Sequence, residues 1–208
     1  MTIEERRSKE KESRRNAILA AAEKRFAKEG FHVTTLDEVA ADVDISKATI
    51  YLYFKNKEEL FFSILEEKFD QYIQSISRRL EGVETLKGAI TELVTGGLDF
   101  LKSNHHFFRL ILSEQSKTTQ GPSQEMHKRF FSKQREYMAL IEKNFAAHMQ
   151  KESISAFSPQ SLALCVNGAI NAHMMSWLVT GGKTDLDRAR EDILRILLNG
   201  CYSTINNK

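Results

Sequence analysis

The amino-acid sequence predicts an all-α protein, and three observations lead to that prediction. Apolar residues recur at the spacing of a helix along nearly all of the 208 residues. Only ten glycines and two prolines interrupt the chain. Serine, threonine, asparagine or aspartate precedes most of the periodic stretches, where it would cap a helix. A chain of this length can form one large or two small domains, and about nine helices are expected.

The first three predicted helices are short or closely spaced. The first should cover residues 12–29, or start earlier, with Gly30 as its C-cap. A capping box, Thr35-Leu-Asp-Glu38, opens a very short second helix. Ser46 caps a third, which should end near Phe54. Helices this short bury little, and two of them joined by a tight turn are typical of a helix-turn-helix rather than of a bundle.

The rest of the chain predicts a larger helical domain. A second box, Asn56-Lys-Glu-Glu59, opens a fourth helix that should end near Gly82. Further helices are predicted at residues 85–102, 105–113, 123–150 and 159–182, and from Asp185 onward. The predicted domains are therefore a helix-turn-helix domain at 1–56 and a larger helical domain at 57–208.

The third predicted helix stands out by its local charge. The net charge of +2 decides nothing, because residues 1–60 contain twelve Lys/Arg and twelve Asp/Glu. Residues 45–57, however, hold three lysines and no acid, together with hydroxyl side chains. Such a face suits DNA phosphates. The preceding acids are expected on the face turned away from the phosphates: Asp37, Glu38, Asp42 and Asp44.

Three stretches resemble the N-terminal domain of the TetR family, which are bacterial, ligand-responsive transcription regulators. They are Phe31-His-Val-Thr-Thr-Leu-Asp-Glu-Val-Ala40, Ile45-Ser-Lys-Ala-Thr-Ile-Tyr-Leu-Tyr-Phe54 and Lys55-Asn-Lys-Glu-Glu-Leu60. The resemblance is dense over about residues 14–65. Two positions depart from it, because Asp44 and Ala48 stand where glycine is usual. Asp44 can still adopt a left-handed conformation, and Ala48 can contact a thymine methyl group.

The resemblance implies which side chains meet DNA. The early residues of the third helix, Lys47, Ala48 and Thr49, would meet base edges, and Lys47 could donate to guanine or to a phosphate. Ser46 caps this helix. The expected phosphate contacts lie around it: Thr35, Tyr51, Tyr53 and Lys57. The alternatives are that Tyr51 is a core residue, that Thr35 is only a cap and that Lys57 is an ordinary solvated lysine.

Residues 6–15 form a second basic cluster, with six Lys/Arg and two Glu. Such an arm could follow the DNA backbone or enter the minor groove. The alternative is a solvated extension of the first helix.

The second domain is expected to hold the ligand and the dimer contact. The resemblance implies a homodimer through the last two helices, about residues 159–205, and a ligand pocket between helices of this domain. The candidate ligand-binding residues combine aromatic, apolar and polar side chains: Phe107, Phe108, Phe131, Gln134, Tyr137, Met138, Asn167, Asn171 and Trp177. The alternative is that each aromatic belongs to the core.

Taken together, the sequence predicts a ligand-responsive DNA-binding regulator, and the resemblance implies a repressor released from a palindromic operator by a small, largely apolar molecule. No catalytic, metal-binding or cofactor-binding constellation is recognised; Cys165 and His173 lie about two turns apart on one helix. A helical enzyme and a protein-binding scaffold are the alternatives. The charged N-terminus, the lack of an apolar stretch of about 20 residues, and two cysteines expected in a core, Cys165 and Cys201, predict a cytoplasmic protein.

Overall fold

The computed structural model describes residues 2–105, 108 and 124–200. Within these residues the chain forms eight helices and no strand, which confirms the all-α prediction. The helices are α1 Ile3–Glu29, α2 Leu36–Asp42, α3 Lys47–Tyr51, α4 Lys57–Leu80, α5 Leu86–Ser103, α6 Gln124–Lys151, α7 Pro159–Val179 and α8 Leu186–Asn199. The helix predicted at 105–113 lies almost wholly outside the described residues.

The helix starts follow the predicted caps. The Thr35 side chain accepts a hydrogen bond from the Glu38 amide at 3.3 Å, and the Glu38 carboxylate accepts one from the Thr35 amide at 2.8 Å. Ser46 Oγ accepts from the Thr49 amide at 3.2 Å. Three further caps have the same local geometry: Thr85, Ser158 and Asp185.

Helix α1, predicted to start at residue 12 or earlier, begins at Ile3, because Thr2 and Glu5 form a further capping box that starts the helix before the basic arm. One helix boundary differs from the prediction. Helix α3 ends at Tyr51, where a helix to Phe54 was expected. Beyond Tyr51 the amides of Tyr53 and Phe54 both donate to the Ile50 carbonyl, at 2.9 and 3.0 Å, so the chain continues as a tight turn.

The described residues form two compact units, and the division falls inside α4, between residues 68 and 69. The predicted boundary at 56/57 corresponds instead to the start of α4. The N-terminal unit has its own core, which draws apolar side chains from α1, α2, α3 and the first part of α4. Phe108 packs against this core. Each short helix of the unit therefore depends on a shared apolar interior.

In the C-terminal unit, α5 packs against α6, α7 and α8. Two adjacent glycines of α5 allow close packing, Gly97 against α7 and Gly96 against α4. A Cβ on Gly97 would lie 2.9 Å from Ile170 Cγ2, and one on Gly96 would lie 2.7 Å from Arg79 Cδ. The arginine also joins helices, because it donates to Glu92 and Asp99 of α5. Asp99 in turn accepts from Arg190 of α8 at 2.8 Å.

Helix α7 has more apolar surface than this packing covers. By length and composition alone, its 21 residues could cross a membrane, and 22% of the most apolar 18-residue stretch of the helix is buried. The expectation that no apolar segment approaches this length is therefore wrong. One face of the helix is exposed along its whole length and carries Leu164, Gly168, Ala172, Met175 and Val179. Cys165 is also exposed, contrary to the core position expected for it. We call this exposed face the α7 stripe.

Candidate DNA-binding interface

Two buried side chains anchor helix α3. Ile50 is 0% exposed and Phe54, just after the helix, is 2% exposed. Val43, Ile45 and Tyr53 pack partly buried against the same core. The opposite face of α3 therefore lies in solvent, where Lys47 and Ala48 are exposed. This arrangement confirms the predicted division of the segment into an anchored face and a polar face.

The turn between α2 and α3 is tight. Asp44 has φ of +52°, which is the left-handed conformation expected at this position. The Ile45 amide then donates to the Ala40 carbonyl at 3.0 Å, so the chain reverses within a few residues of α2. The two helices thus form the compact helix-turn-helix that the spacing predicts.

Arg25 braces the end of α2 against α1. Its guanidinium makes a bidentate pair with Asp42, at 2.5 and 2.8 Å, and also lies near Glu29 and Glu38. The hydrogen bond from Arg25 lowers the pKa of Asp42, and hydrogen bonds from Thr35 lower the pKa of Glu38. Both carboxylates therefore stay ionised at neutral pH. Their interaction with α1 agrees with the expectation that these acids do not face the phosphates.

Asp37 does not fit that expectation. Its carboxylate accepts a hydrogen bond from Lys47 Nζ at 2.7 Å, so this acid lies on the same surface as the first residue of α3. The side chains of Asp37 and Lys47 are 64% and 45% exposed. The bond raises the pKa of Lys47, which stays charged. Sequence reasoning missed this pair because its members are ten residues apart on two different helices.

The hydroxyls near the start of α2 and α3 already have partners. Thr35 Oγ1 donates to the Glu38 carboxylate at 2.8 Å, so its hydrogen is committed to the capping box. A phosphate would then meet the free amides at the start of α2 rather than this hydroxyl. Ser46 Oγ and Thr49 Oγ1 are hydrogen-bonded to each other at 2.9 Å. One hydrogen of that pair remains available.

Lys57 has a role that the sequence did not predict. Its ammonium group donates to the carbonyls of Phe31, His32 and Thr34, at 2.8, 3.2 and 3.0 Å. It also lies 4.6 Å from the centre of the Phe31 ring. A lysine has three donor hydrogens, and all three are used here. The side chain therefore clamps the α1–α2 connector to the start of α4, which replaces the phosphate contact expected of it.

The two tyrosines differ in exposure. Tyr51 is 50% exposed, so the alternative that it is a core residue is wrong. Tyr53 is half-buried against the core, with its ring 6.5 Å from that of Phe54. In the basic arm, Arg6 pairs with Glu10 at 3.0 Å and Arg15 lies over the Phe54 ring at 5.3 Å. Contacts of these residues with phosphates stay predictions.

The C-terminal unit brings three of the predicted ligand residues together. An open groove of about 420 Å³ along α6 is lined by Lys128, Phe131, Gln134, Arg135 and Met138. Apolar and cationic side chains alternate along it. The groove thus offers both an apolar surface and positive charge to a ligand.

Tyr137 lies inside the unit rather than in the groove. It is 4% exposed and its hydroxyl meets that of Tyr72 at 2.8 Å. Burial raises the pKa of Tyr72 to about 12 and that of Tyr137 well above its ordinary value, so both stay neutral. The Phe69 ring lies 6.2 Å from that of Tyr72 and 6.0 Å from that of Tyr137, measured between ring centres. Phe100 lies 5.0 Å from Tyr72, and Phe130 lies 5.8 Å from Phe69.

The other predicted ligand residues lie elsewhere. Phe108 packs against the N-terminal core, and Phe107 is outside the described residues. Asn171 is exposed on α7 beside the α7 stripe, whereas Asn167 is half-buried. Trp177 is half-buried, with its ring 6.2 Å from that of His105.

In the described part of the chain, no three His, Cys, Asp or Glu side chains lie close enough together to hold a metal ion. The Cys165 thiol is exposed, and His173 Nδ1 lies 2.9 Å from the Ala169 carbonyl within its own helix.

In this helix-turn-helix, one face of the second helix is buried in the core and the other face is polar and exposed, as in DNA-binding domains. Residues 18–64 match the family model described as "Bacterial regulatory proteins, tetR family". Residues 18–64 therefore form a DNA-binding domain of this family, and the comparisons identify a ligand-responsive, DNA-binding transcriptional regulator rather than an enzyme.

One relative is similar along nearly the whole chain, and another over about a third of it. The fatty acid metabolism regulator protein of Bacillus subtilis is 24% identical over 196 residues, which cover 94% of this chain and 99% of the relative. The regulator HbdR of Aromatoleum is 38% identical over 72 residues, covering 35% of this chain and 31% of that protein.

A solved structure of the B. subtilis regulator FadR with stearoyl-CoA has a TM-score of 0.73 at 21% identity, covering 88% of this chain and 97% of that one. A TetR/AcrR-family regulator from Thermobifida fusca has a TM-score of 0.75 at 24% identity, with 91% and 98% covered. At these identities the likeness shows the fold.

Replacing Lys57 by Met should lower the stability of the chain, because three carbonyls lose their charged donor while the apolar stem is kept. We expect a loss of about 2 kcal/mol, which is typical of a hydrogen bond to a charged group. The slope of log K against log salt for DNA binding should stay at the wild-type value. Urea unfolding and binding titrations at several salt concentrations measure the two quantities.

Lys55→Met is the matched control, because Lys55 is exposed and lies two residues away. A Lys57→Met protein of unchanged stability whose salt slope falls by about 0.9 would show that the lysine contacts a phosphate instead.

Proposed function

We propose that this chain is a repressor that binds a near-palindromic operator as a homodimer and leaves it when a fatty acyl thioester binds. The observation that carries the DNA-binding part is the polar surface of α3, where Lys47 and Tyr51 are exposed and Thr49 is half-buried, whereas Ile50 is buried. In this arrangement the first residues of α3 read base edges and Tyr51 holds a phosphate.

The α7 stripe supports the dimer. Leu164, Met175 and Val179 are 58%, 44% and 75% exposed, and in α8 Ile196 is 55% exposed. Small residues, Gly168 and Ala172, lie between the large ones, so a helix of a second copy can approach closely. A helix that is apolar nearly all round is expected to be covered on both sides. The second copy would cover the side of α7 that its own unit leaves exposed. A two-fold dimer reads half-sites about one helical turn apart, or a multiple of that distance.

The groove along α6 supports the ligand. Phe131 and Met138 present apolar surface, and Lys128 and Arg135 stand beside them. An anionic amphiphile matches this combination, since its chain would bury apolar area while its phosphates pair with the cations. The B. subtilis relative is a fatty acid metabolism regulator, and its solved structure holds stearoyl-CoA. We therefore assign a long-chain acyl-CoA to this groove.

Release from DNA requires that the ligand binds one state of the dimer better than the other. The ligand shifts the population by its differential affinity for the two states, which for allosteric proteins is typically about 5- to 150-fold. The state it favours would hold the two α3 helices at a spacing that does not match the operator. Such a regulator acts in the cytoplasm, where the DNA is.

Replacing Lys47 by Glu and Tyr51 by Ala should abolish operator binding. Operators are first selected by the wild-type protein from a pool of random 40-bp duplexes, a length chosen to hold about two half-sites. The double variant should then bind them at least about 30-fold more weakly, since two contacts of about 1–3 kcal/mol each are lost. Lys143→Glu, in the other unit, controls for the change in charge. Unchanged affinity of the double variant would disprove this reading face.

Replacing Val179 by Asp should turn the dimer into a monomer, because a charge would be buried in the apolar contact. Sedimentation velocity at micromolar concentration measures the mass, and circular dichroism checks that helix content is kept. Ala139→Asp introduces the same charge on an exposed position of α6 and should leave the dimer intact. A Val179→Asp protein that remains dimeric would exclude the α7 stripe as the contact.

Stearoyl-CoA should raise the Kd for the selected operator about tenfold or more, whereas coenzyme A alone should not. Lys128→Ala combined with Arg135→Ala should weaken stearoyl-CoA binding about tenfold, measured by calorimetry. Lys143→Ala, on the same helix, should not. If stearoyl-CoA does not bind, the ligand class is wrong; if it binds the double variant as tightly as the wild type, the groove is wrong.

A further inference from the structure

The exposed pair of Asp37 and Lys47 needs an explanation that stability does not provide. The two charged atoms lie 2.7 Å apart, yet both side chains are largely in solvent. An exposed ion pair contributes only about 0–1 kcal/mol to folding. Asp37 adds only the small stabilisation of an acid in the first turn of α2, about 0.3–1 kcal/mol, because Thr35 and Glu38 already form the capping box. The pair therefore matters for the surface on which it stands.

That surface is the one proposed to face DNA. Lys47 is the first residue of α3, and the Asp37 carboxylate that is hydrogen-bonded to it lies beside it on the protein surface. An acid there is repelled by the phosphates of any DNA, whatever the sequence. The carboxylate also keeps the Lys47 ammonium group paired. Lys47 then neutralises phosphates less, so fewer counterions are released when DNA binds. Both effects weaken non-specific binding.

The pair also matches the edge of one base pair. In the major groove, guanine presents O6 as an acceptor and cytosine presents its N4 amino group as a donor. These two groups are hydrogen-bonded to each other and are therefore neighbours. Lysine donates to guanine O6, and aspartate accepts from cytosine N4. A lysine and an aspartate held together on the protein thus complement a G·C pair as a unit.

We infer that Asp37 is a specificity-determining residue, which together with Lys47 reads one G·C pair in each half-site and weakens binding to DNA that lacks it. The inference rests on the proposed DNA contact of α3 and adds to it a base reader from α2. Without Asp37 the lysine is free to pair with phosphates, so binding becomes stronger on random DNA and less selective on the operator.

The test compares Asp37→Asn with the wild type by selection from random 40-bp duplexes, followed by binding titrations at several salt concentrations. We expect the variant to bind random duplexes at least about threefold more tightly. Its slope of log K against log salt should steepen by about 0.9 for each phosphate that Lys47 gains. At one operator position the preference for G·C should fall about tenfold. Asparagine has nearly the same shape, so the melting temperature should stay at the wild-type value.

Glu142→Gln removes the same charge from an exposed position of α6 and controls for the net charge. If Asp37→Asn binds random DNA no more tightly than this control and selects the same bases with the same preference, the inference is overturned while the proposed function stands. If the wild type enriches no sequence, the proposed function fails and the inference falls with it.

Discussion

Helix α3 depends on the burial of Ile50 and Phe54. A helix of five residues is not stable alone, because the unfavourable free energy of nucleation exceeds the stabilisation from its few hydrogen bonds. Its position is set by two side chains inside a core to which α1, α2 and α4 also contribute. Since the apolar anchors lie behind, the front of the helix is free to carry polar groups. The DNA-reading surface is therefore a consequence of how the N-terminal core is packed.

Placement of charge, rather than excess of charge, characterises the N-terminal unit. Arg25 holds Asp42 at the end of α2, and the Lys57 ammonium is used by three carbonyls. In this arrangement both cations are engaged by groups within the protein. Of the lysines in segment 45–57, Lys47 is matched by an acid on the same surface. A regulator built in this way gains less affinity from bulk electrostatics, so more of its discrimination has to come from bases.

Two helices of the C-terminal unit present surfaces that the unit does not cover. The α7 stripe combines large apolar side chains with glycine and alanine, which suits close contact with another helix. The groove on α6 combines apolar and cationic side chains, which suits an amphiphile. In the same unit, a buried aromatic cluster around Tyr72 and Tyr137 holds α4 and α6 together.

Local signals were enough to predict the helix starts and the family of the DNA-binding domain. A cap such as Thr35, Ser46 or Asp185 bonds to an amide two or three residues away, so its geometry follows from neighbouring residues alone. The left-handed Asp44 belongs to the same short range. The helical spacing of Ile50 and Phe54 predicted that they are buried, and the core with α1, α2 and α4 buries them.

The partners of the long charged side chains could not be predicted in this way. Lys57 meets carbonyls 23 to 26 residues earlier, Lys47 meets Asp37 across the turn, and Tyr137 meets Tyr72 across 65 residues. A flexible side chain reaches several groups from one backbone position, and packing selects among them. The sequence was therefore sufficient for the fold and the reading helix, whereas tertiary packing determined which of its cations remain available to DNA.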